Sequence, residues 1–115
     1  MPIWNLYLCA MTDKNHLLER IKMTIHATEP GATIMLYGSY ARGDNREDSD
    51  VDLLILLDKN KVTLEDESNI FYSLYDLELD TGTIISPWVI SKQKWETMKS
   101  ISPFYREVRK DAKIL

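Results

Sequence analysis

Two aspartates, Asp50 and Asp52, have the spacing of a metal-binding carboxylate pair. They stand at the head of a continuous apolar run, residues 53–57, which is typical of a strand covered on both faces. Because side chains alternate along a strand, the two carboxylates lie on one face and Val51 points to the other. Like charges this close require a counter-cation, and paired hard oxygen ligands suit Mg2+, whose shell phosphates often complete. The sequence therefore predicts a magnesium site that a nucleoside triphosphate completes.

A Gly-Ser turn, Gly38-Ser39, stands ten residues before this pair. The apolar run 32–37, bounded by Pro30-Gly31 on its other side, predicts a buried strand that ends at the turn. Gly38 permits a backbone conformation or close approach that a side chain would block. Ser39 and the amides after it can donate hydrogen bonds to phosphate oxygens. Each half alone is usually structural, but together, between two apolar strands, they favour a functional site.

The stretch resembles the signature of the polymerase-beta-type nucleotidyltransferase superfamily, in its minimal nucleotidyltransferase branch: Gly-Ser, ten residues, then Asp-x-Asp. The positions that match are Gly38, Ser39, Asp50 and Asp52, and Arg42 matches the loop. The resemblance implies transfer of a nucleoside monophosphate, by default AMP from ATP, to a hydroxyl, with release of pyrophosphate. It implies two Mg2+ ions held by Asp50 and Asp52, which are also the catalytic candidates. The triphosphate-binding candidates are Gly38, Ser39 and Arg42.

Many members of this superfamily carry a third carboxylate on the next core strand, where it completes the metal site. Residues 83–91 are the best candidate for that strand, and the expected position of the acid falls near Ile84, which is apolar. Asp80, just upstream, is a further catalytic candidate, with an exposed position in a loop or at a helix end as the alternative. Nucleotide and metal binding are therefore expected, whereas turnover stays an open question.

Length and patterning describe one small α/β (α+β) domain. The 115 residues, 44% apolar and 28% charged, suffice for one core. Residues 64–79 have apolar side chains at helical spacing and three acids near the start, which predicts a helix connecting the second strand to the third. The apolar tail, interrupted by Pro103, predicts two short helices. We expect a short mixed sheet with helices packed mainly on one face.

The N-terminal residues are harder to interpret. A helix capped by Thr12 or Asp13 is predicted, followed by an apolar stripe. We therefore expect a single nucleotidyltransferase domain over residues 11–115, with residues 1–10 as an extension. That segment is apolar but short and lacks a basic flank, so a signal peptide fits poorly. An upstream, rarely used start codon would explain residues 1–10 equally well.

Charge and cysteine content restrict the partners. With 14 Lys and Arg against 18 Asp and Glu, the formal net charge is −4, and no basic block appears. General binding to the nucleic-acid backbone is therefore not expected. A single cysteine, Cys9, excludes an internal disulfide or a zinc cluster of cysteines. No apolar run is long enough to span a bilayer, and we expect a cytoplasmic protein without a membrane partner.

Three hypotheses about function remain open at this point. Minimal members of the family are often encoded beside a small helical protein of the HEPN type, and such pairs behave as antitoxin and toxin, with AMP added to a tyrosine of the partner. The resemblance makes this the first hypothesis. The second is a small-molecule nucleotidyltransferase, of the aminoglycoside-modifying type, that forms its acceptor cleft as a homodimer. The third is a nucleotide-binding antitoxin with little catalysis, consistent with an apolar Ile84.

Overall fold

The structure is a computed structural model that describes the backbone of residues 3–115 and the side chains of residues 14–115. The elements are α1 (Ile3–Thr28), β1 (Thr33–Tyr37), α2 (Ser39–Arg42), β2 (Val51–Leu57), α3 (Leu64–Thr81), β3 (Ile85–Ser91), α4 (Lys92–Thr97), α5 (Pro103–Asp111) and β4 (Lys113–Ile114). The sheet has the order β3-β2-β1-β4. Strand β1 is antiparallel to β2 and β4, whereas β2 and β3 are parallel. The predicted mixed sheet in an α/β fold is therefore confirmed.

The two long helices, α1 and α3, cover one face of the sheet. Alternate residues of β2 point towards them: Val51, Leu53 and Ile55 are fully buried in the larger core cluster. Ile21 of α1 and Ile70 of α3 are also fully buried there. Complete burial of each such side chain contributes on the order of 2 kcal/mol through the hydrophobic effect. This layer holds β2, which carries Asp52 and begins directly after Asp50.

The opposite face is covered by the two short helices that the tail pattern predicts. Leu54 and Leu56 of β2 point to this side and pack with Trp95 of α4 and with Tyr105 and Val108 of α5. Helix α5 begins with Pro103 in its first turn, where a missing N–H costs no helical hydrogen bond. The longer helices therefore cover the α1 and α3 side of the sheet. The opposite face, on which Asp52 lies with Leu54 and Leu56, is covered only by short helices.

Helix α3 is fixed at its start by a capping box. Thr63 Oγ1 accepts a hydrogen bond from the Asp66 N–H at 3.1 Å, and the Asp66 carboxylate accepts one from the Thr63 N–H at 3.0 Å. Lys59 binds both Asp66, at 2.7 Å, and Glu29 at the end of α1, at 2.8 Å. The start of α3 is thus tied to the α1 end of the helical layer.

Strand β3 forms one edge of the sheet and offers few donors for further pairing. The Ile84 carbonyl accepts a hydrogen bond from the Val51 N–H at 2.9 Å. The backbone N–H and C=O groups of the even-numbered residues of β3 therefore point towards β2, and those of the odd-numbered residues point away from the sheet. Ile85 N–H donates to the Glu78 carboxylate at 2.7 Å, and Pro87 has no N–H. These features protect the edge from strand addition.

The N-terminal prediction is wrong in one respect. Helix α1 begins at Ile3, before the predicted cap at Thr12 or Asp13. The side chains of residues 1–13 lie outside the described part of the chain, so the extension over residues 1–10 and the domain boundary at residue 11 stay predictions. Within the part of the chain that the structure describes, no helix has the length and apolar character needed to cross a membrane.

Candidate functional site

The Gly38-Ser39 turn joins the end of β1 directly to helix α2. Gly38 has φ 74° and ψ −154°, a region of backbone space that is essentially restricted to glycine. Its carbonyl accepts hydrogen bonds from the N–H groups of Ala41 and Arg42, both at 3.1 Å. The predicted turn is therefore a strand-to-helix connection, and its shape depends on the missing side chain of Gly38.

Gly38 also lies against the carboxylate of Asp52. The antiparallel register of β1 and β2 places Tyr37 opposite Asp52, one residue before the turn. A Cβ atom at Gly38 would collide with Oδ2 of Asp52 and would lie 3.3 Å from its Cγ. The turn and the carboxylate therefore meet in space, as the combined motif predicts.

The two aspartates differ in exposure. Asp50 is exposed and Asp52 is half-buried, while Val51 between them is fully buried on the α1 and α3 side. Burial raises the pKa of Asp52 above its usual value, the negative charge of Asp50 raises it further, and the positive charge of Arg42 acts in the opposite direction. A desolvated carboxylate beside a second one is an arrangement that a bound cation stabilises.

The neighbouring strand supplies no carboxylate to this pair. In the parallel register, Asp52 lies beside Ser86, and Ile84, just before β3, is 59% exposed. The residue in register with Asp52 is therefore Ser86 rather than the predicted Ile84, and neither is acidic. Among the described side chains, no group of three or more His, Cys, Asp or Glu residues could hold a metal ion. Two carboxylates fit Mg2+ with water and phosphate completing its shell, rather than a metal enclosed by protein ligands.

Asp80, the additional catalytic candidate, lies elsewhere. It belongs to the last turn of α3, and its Oδ2 atom forms an ion pair with Nη1 of Arg20 in α1 at 2.8 Å. Both helices cover the face of the sheet opposite to the one that Asp52 shares with Leu54. The structure does not bring Asp80 to the aspartate pair, and its side chain is 62% exposed. Asp80 is therefore an exposed carboxylate at a helix end, which is the alternative to a catalytic position that the sequence left open.

Arg42, the last residue of α2, is held by two carboxylates. Its Nε atom lies 3.2 Å from Oδ2 of Asp44, and its Nη1 atom lies 3.2 Å from Oδ2 of Asp111 in α5. The hydrogen bonds that Arg42 donates to Asp44 and, next in size of effect, to Asp111 raise the pKa of Arg42 above its usual value. The guanidinium is close enough to Asp52 for its charge to affect that carboxylate. Asp111 was not predicted from the sequence, because the two residues are 69 positions apart.

Aromatic side chains border the aspartates on the same face. Burial, and to a smaller extent the charge of Asp52, raises the pKa of Tyr37. The Tyr37 ring meets Phe104 of α5 edge-on, with centroids 5.9 Å apart, and Phe104 lies 5.0 Å from Trp88. Trp95 is only 2% exposed and lies in the core. The sequence contained one indication that Tyr37 lies near the site, because Tyr37 directly precedes Gly38.

Three comparisons with known proteins concern the family of this chain. Residues 18–115 match the family model described as a nucleotidyltransferase domain. A relative from Methanocaldococcus jannaschii, whose name assigns it protein adenylyltransferase activity, is 46% identical over 61 residues; the match covers 51% of this chain and 59% of the relative. A crystal structure of a toxin-antitoxin with AMP-PNP is similar in fold, with a TM-score of 0.59 and 17% identity over 84% of this chain and 69% of that one. Because the family match spans most of the sequence and includes the turn and both aspartates, the chain belongs to the nucleotidyltransferase domain family.

Proposed function

We propose that this protein is a Mg2+-dependent nucleotidyltransferase that moves a nucleoside monophosphate, AMP from ATP, onto a hydroxyl of a partner protein. The observation that carries this proposal is the contact between the Gly38 turn and the half-buried Asp52, with Asp50 beside it. Family membership supports the reaction type. The name of the archaeal relative supports AMP and a protein acceptor.

Each residue of the site has a separate task in this proposal. Asp50 and Asp52 would hold Mg2+, which when bound stabilises negative charge on the attacking and leaving oxygens. The Ser39 hydroxyl and the Ser39 N–H would donate to the oxygens of the β and γ phosphates, and Arg42 would add positive charge beside them. The later amides that the sequence suggested as donors are not available, because the N–H groups of Ala41 and Arg42 donate to the Gly38 carbonyl. The acceptor hydroxyl would lose its proton to water and attack the α phosphorus in line with the bond to the bridging oxygen, which would break to release pyrophosphate. Fixing these groups in alignment contributes much of the rate.

Exposed apolar side chains near the aspartates fit a protein acceptor. Ile84, just before β3, is 59% exposed, and Phe104 of α5 is 39% exposed. Large exposed apolar residues beside a polar centre are common at protein contacts. We infer that the partner is a small helical protein of the HEPN type, as the resemblance to minimal nucleotidyltransferases implies. The toxin-antitoxin with a similar fold supports a role in a toxin-antitoxin pair.

Mass spectrometry tests this proposal directly. The purified chain would be incubated with its neighbouring gene product, Mg2+ and each of the four nucleoside triphosphates. We expect a mass increase of one nucleotidyl unit on the partner with ATP. Asp50→Asn should abolish it, whereas Asp80→Asn, a matched change on the opposite face, should retain it.

Two additions to this experiment, an aminoglycoside in the incubation and a separate measurement of triphosphate binding, distinguish the other hypotheses. Transfer to an aminoglycoside, with no protein adduct, would favour a small-molecule enzyme acting as a homodimer. Triphosphate binding without any adduct would favour a nucleotide-binding antitoxin with little catalysis, which the absence of an acid at Ser86 also fits. An adduct that persists in the Asp50→Asn variant would refute the site assignment.

A further inference from the structure

The end of helix α5 contacts the loop that carries the sequence motif. From this contact we propose that Asp111 is a positioning residue: it fixes the Arg42 guanidinium so that its unused donors face the phosphates of the bound triphosphate. The inference rests on the proposed function and adds a residue that the motif does not contain.

Asp111 has a fixed position, so it can immobilise the Arg42 side chain. Val108, one turn earlier in α5, is fully buried in the smaller core cluster. After the helix, β4 pairs with β1, and the Leu115 N–H donates to the Ile34 carbonyl at 2.9 Å. The chain is therefore anchored on both sides of Asp111, by apolar packing before it and by backbone hydrogen bonds after it.

The two carboxylates that hold Arg42 are not equivalent. The side chain of Asp44 is 63% exposed, whereas that of Asp111 is 23% exposed. Ion pairs between exposed groups contribute little, because water screens them and both side chains lose rotamer freedom. An arginine side chain has many rotamers to lose on being ordered. The better buried Asp111 is therefore the partner that fixes where Arg42 points.

The geometry leaves part of the guanidinium for a ligand. Asp44 occupies Nε and Asp111 occupies Nη1, so Nη2 takes part in neither ion pair. That nitrogen carries two N–H donors, and a guanidinium binds phosphate oxygens through such donors. The Arg42 N–H donates to the Gly38 carbonyl at 3.1 Å, and Gly38 lies against the Asp52 carboxylate, so Arg42 lies on the same side of the loop as the proposed metal ligands.

Asp111 has two opposing effects on the triphosphate. Its negative charge repels phosphate and competes for the guanidinium, while its hydrogen bond keeps the guanidinium in place. Arg42 is 47% exposed, so without Asp111 the side chain gains many alternative rotamers. Because the charge of Asp111 is already neutralised within the ion pair, we expect the ordering effect to dominate.

A double-mutant cycle tests this inference. The affinity for a non-hydrolysable ATP analogue with Mg2+ would be measured by calorimetry for the wild type, Asp111→Asn, Arg42→Gln and the double variant. We expect Asp111→Asn to weaken binding about tenfold, and to cause no further loss when Arg42→Gln is present. Asp44→Asn makes the same chemical change in the more exposed partner and should weaken binding less than about threefold.

Three outcomes would overturn the inference. An equal loss from Asp111→Asn with and without Arg42 would show a structural effect that does not pass through the guanidinium. Tighter binding by Asp111→Asn would show that Asp111 competes with the phosphates. If Asp111→Asn unfolds, Asp111→Glu replaces it in the cycle, and additive losses there refute the inference equally. Wild-type protein that binds no analogue refutes the proposed function itself, whereas wild-type binding without coupling refutes only the role of Asp111.

Discussion

Replacing Gly38 by alanine should damage both the fold and the site. The added methyl group would collide with Oδ2 of Asp52 and would lie 3.3 Å from its Cγ and 3.5 Å from its Cβ. The backbone of Asp52 cannot retreat, because the neighbouring Val51 and Leu53 are fully buried. The carboxylate must therefore turn away from its position beside the turn. In addition, alanine is strained at φ 74° and ψ −154°.

The size of both effects follows from this geometry. A non-glycine residue in that backbone region costs about 1–3 kcal/mol. For a domain of this length, each kcal/mol lowers the melting temperature by about 4 °C. Displacing a metal-binding carboxylate by about 1 Å can reduce catalysis on the order of a hundredfold. Gly38→Ala should therefore melt several degrees lower and lose most of its Mg2+-dependent triphosphate binding, as measured by thermal denaturation and calorimetry.

Gly43 provides the matched control within the same loop. It also has a positive φ, 81°, but a Cβ added there has no heavy atom within 4 Å. Alanine at this left-handed position costs about 1–2 kcal/mol without touching the site. Gly43→Ala should therefore lower the melting temperature and leave triphosphate affinity close to that of the wild type. Equal affinities for Gly38→Ala and Gly43→Ala would refute the claim that Gly38 is needed for its approach to Asp52.

Three further predictions concern charge. Ser86→Asp adds a carboxylate in register with Asp52, so a metal titration should show tighter Mg2+ binding, and unchanged affinity would contradict the register argument. Asp50→Asn removes a like charge, so carboxyl NMR of metal-free protein should show a lower pKa for Asp52 that still exceeds its usual value, because burial persists. The hydrogen bond from Lys59 lowers the pKa of Asp66 from 3.8 to about 2. The ionised Asp66 carboxylate therefore stabilises the folded state fully above pH 3.8, and this stabilisation is lost as the pH falls through 2. Asp66→Asn should flatten the dependence of unfolding free energy on pH in that window, and an unchanged slope in denaturation at several pH values would refute this.

Elements with local signals were predictable from the sequence. The strand predicted over residues 32–37 is observed as Thr33–Tyr37, and the helix predicted over residues 64–79 is observed as Leu64–Thr81. In each case the apolar pattern and the bounding turn or capping residues lie within a few positions of the element. The two-residue β4 carries no such pattern, because it is held by pairing with a strand about 78 positions earlier in the chain.

The register of β3 was not readable in the same way. The expected acid was placed near Ile84, and Asp80 was a candidate had the strand begun earlier. Helix α3 continues to Thr81 and β3 begins at Ile85, so Asp80 stays in the helix and Ser86 is the residue beside Asp52. Ile84 and Ser86 are two residues apart and share a face, so alternation along the strand does not choose between them, and only pairing with β2 fixes which one lies beside Asp52.

The contribution of α5 to the site was likewise absent from local patterns. Phe104 contacts Tyr37, and Asp111 contacts Arg42, although each pair is separated by more than half of the sequence. The turn and the aspartates could be named from the sequence because all four residues lie within 15 positions of one another. The side chains that surround them depend on how the short helices close over the sheet.

Calorimetry of triphosphate binding, with and without Mg2+, tests most directly whether the Gly38-Ser39 turn and the aspartates form one site. Wild-type protein and Asp80→Asn should both bind the ATP analogue only when Mg2+ is present. Asp52→Asn should keep its fold, judged by circular dichroism and melting temperature, and should lose this binding. Mg2+-dependent binding of undiminished affinity in folded Asp52→Asn would contradict the account.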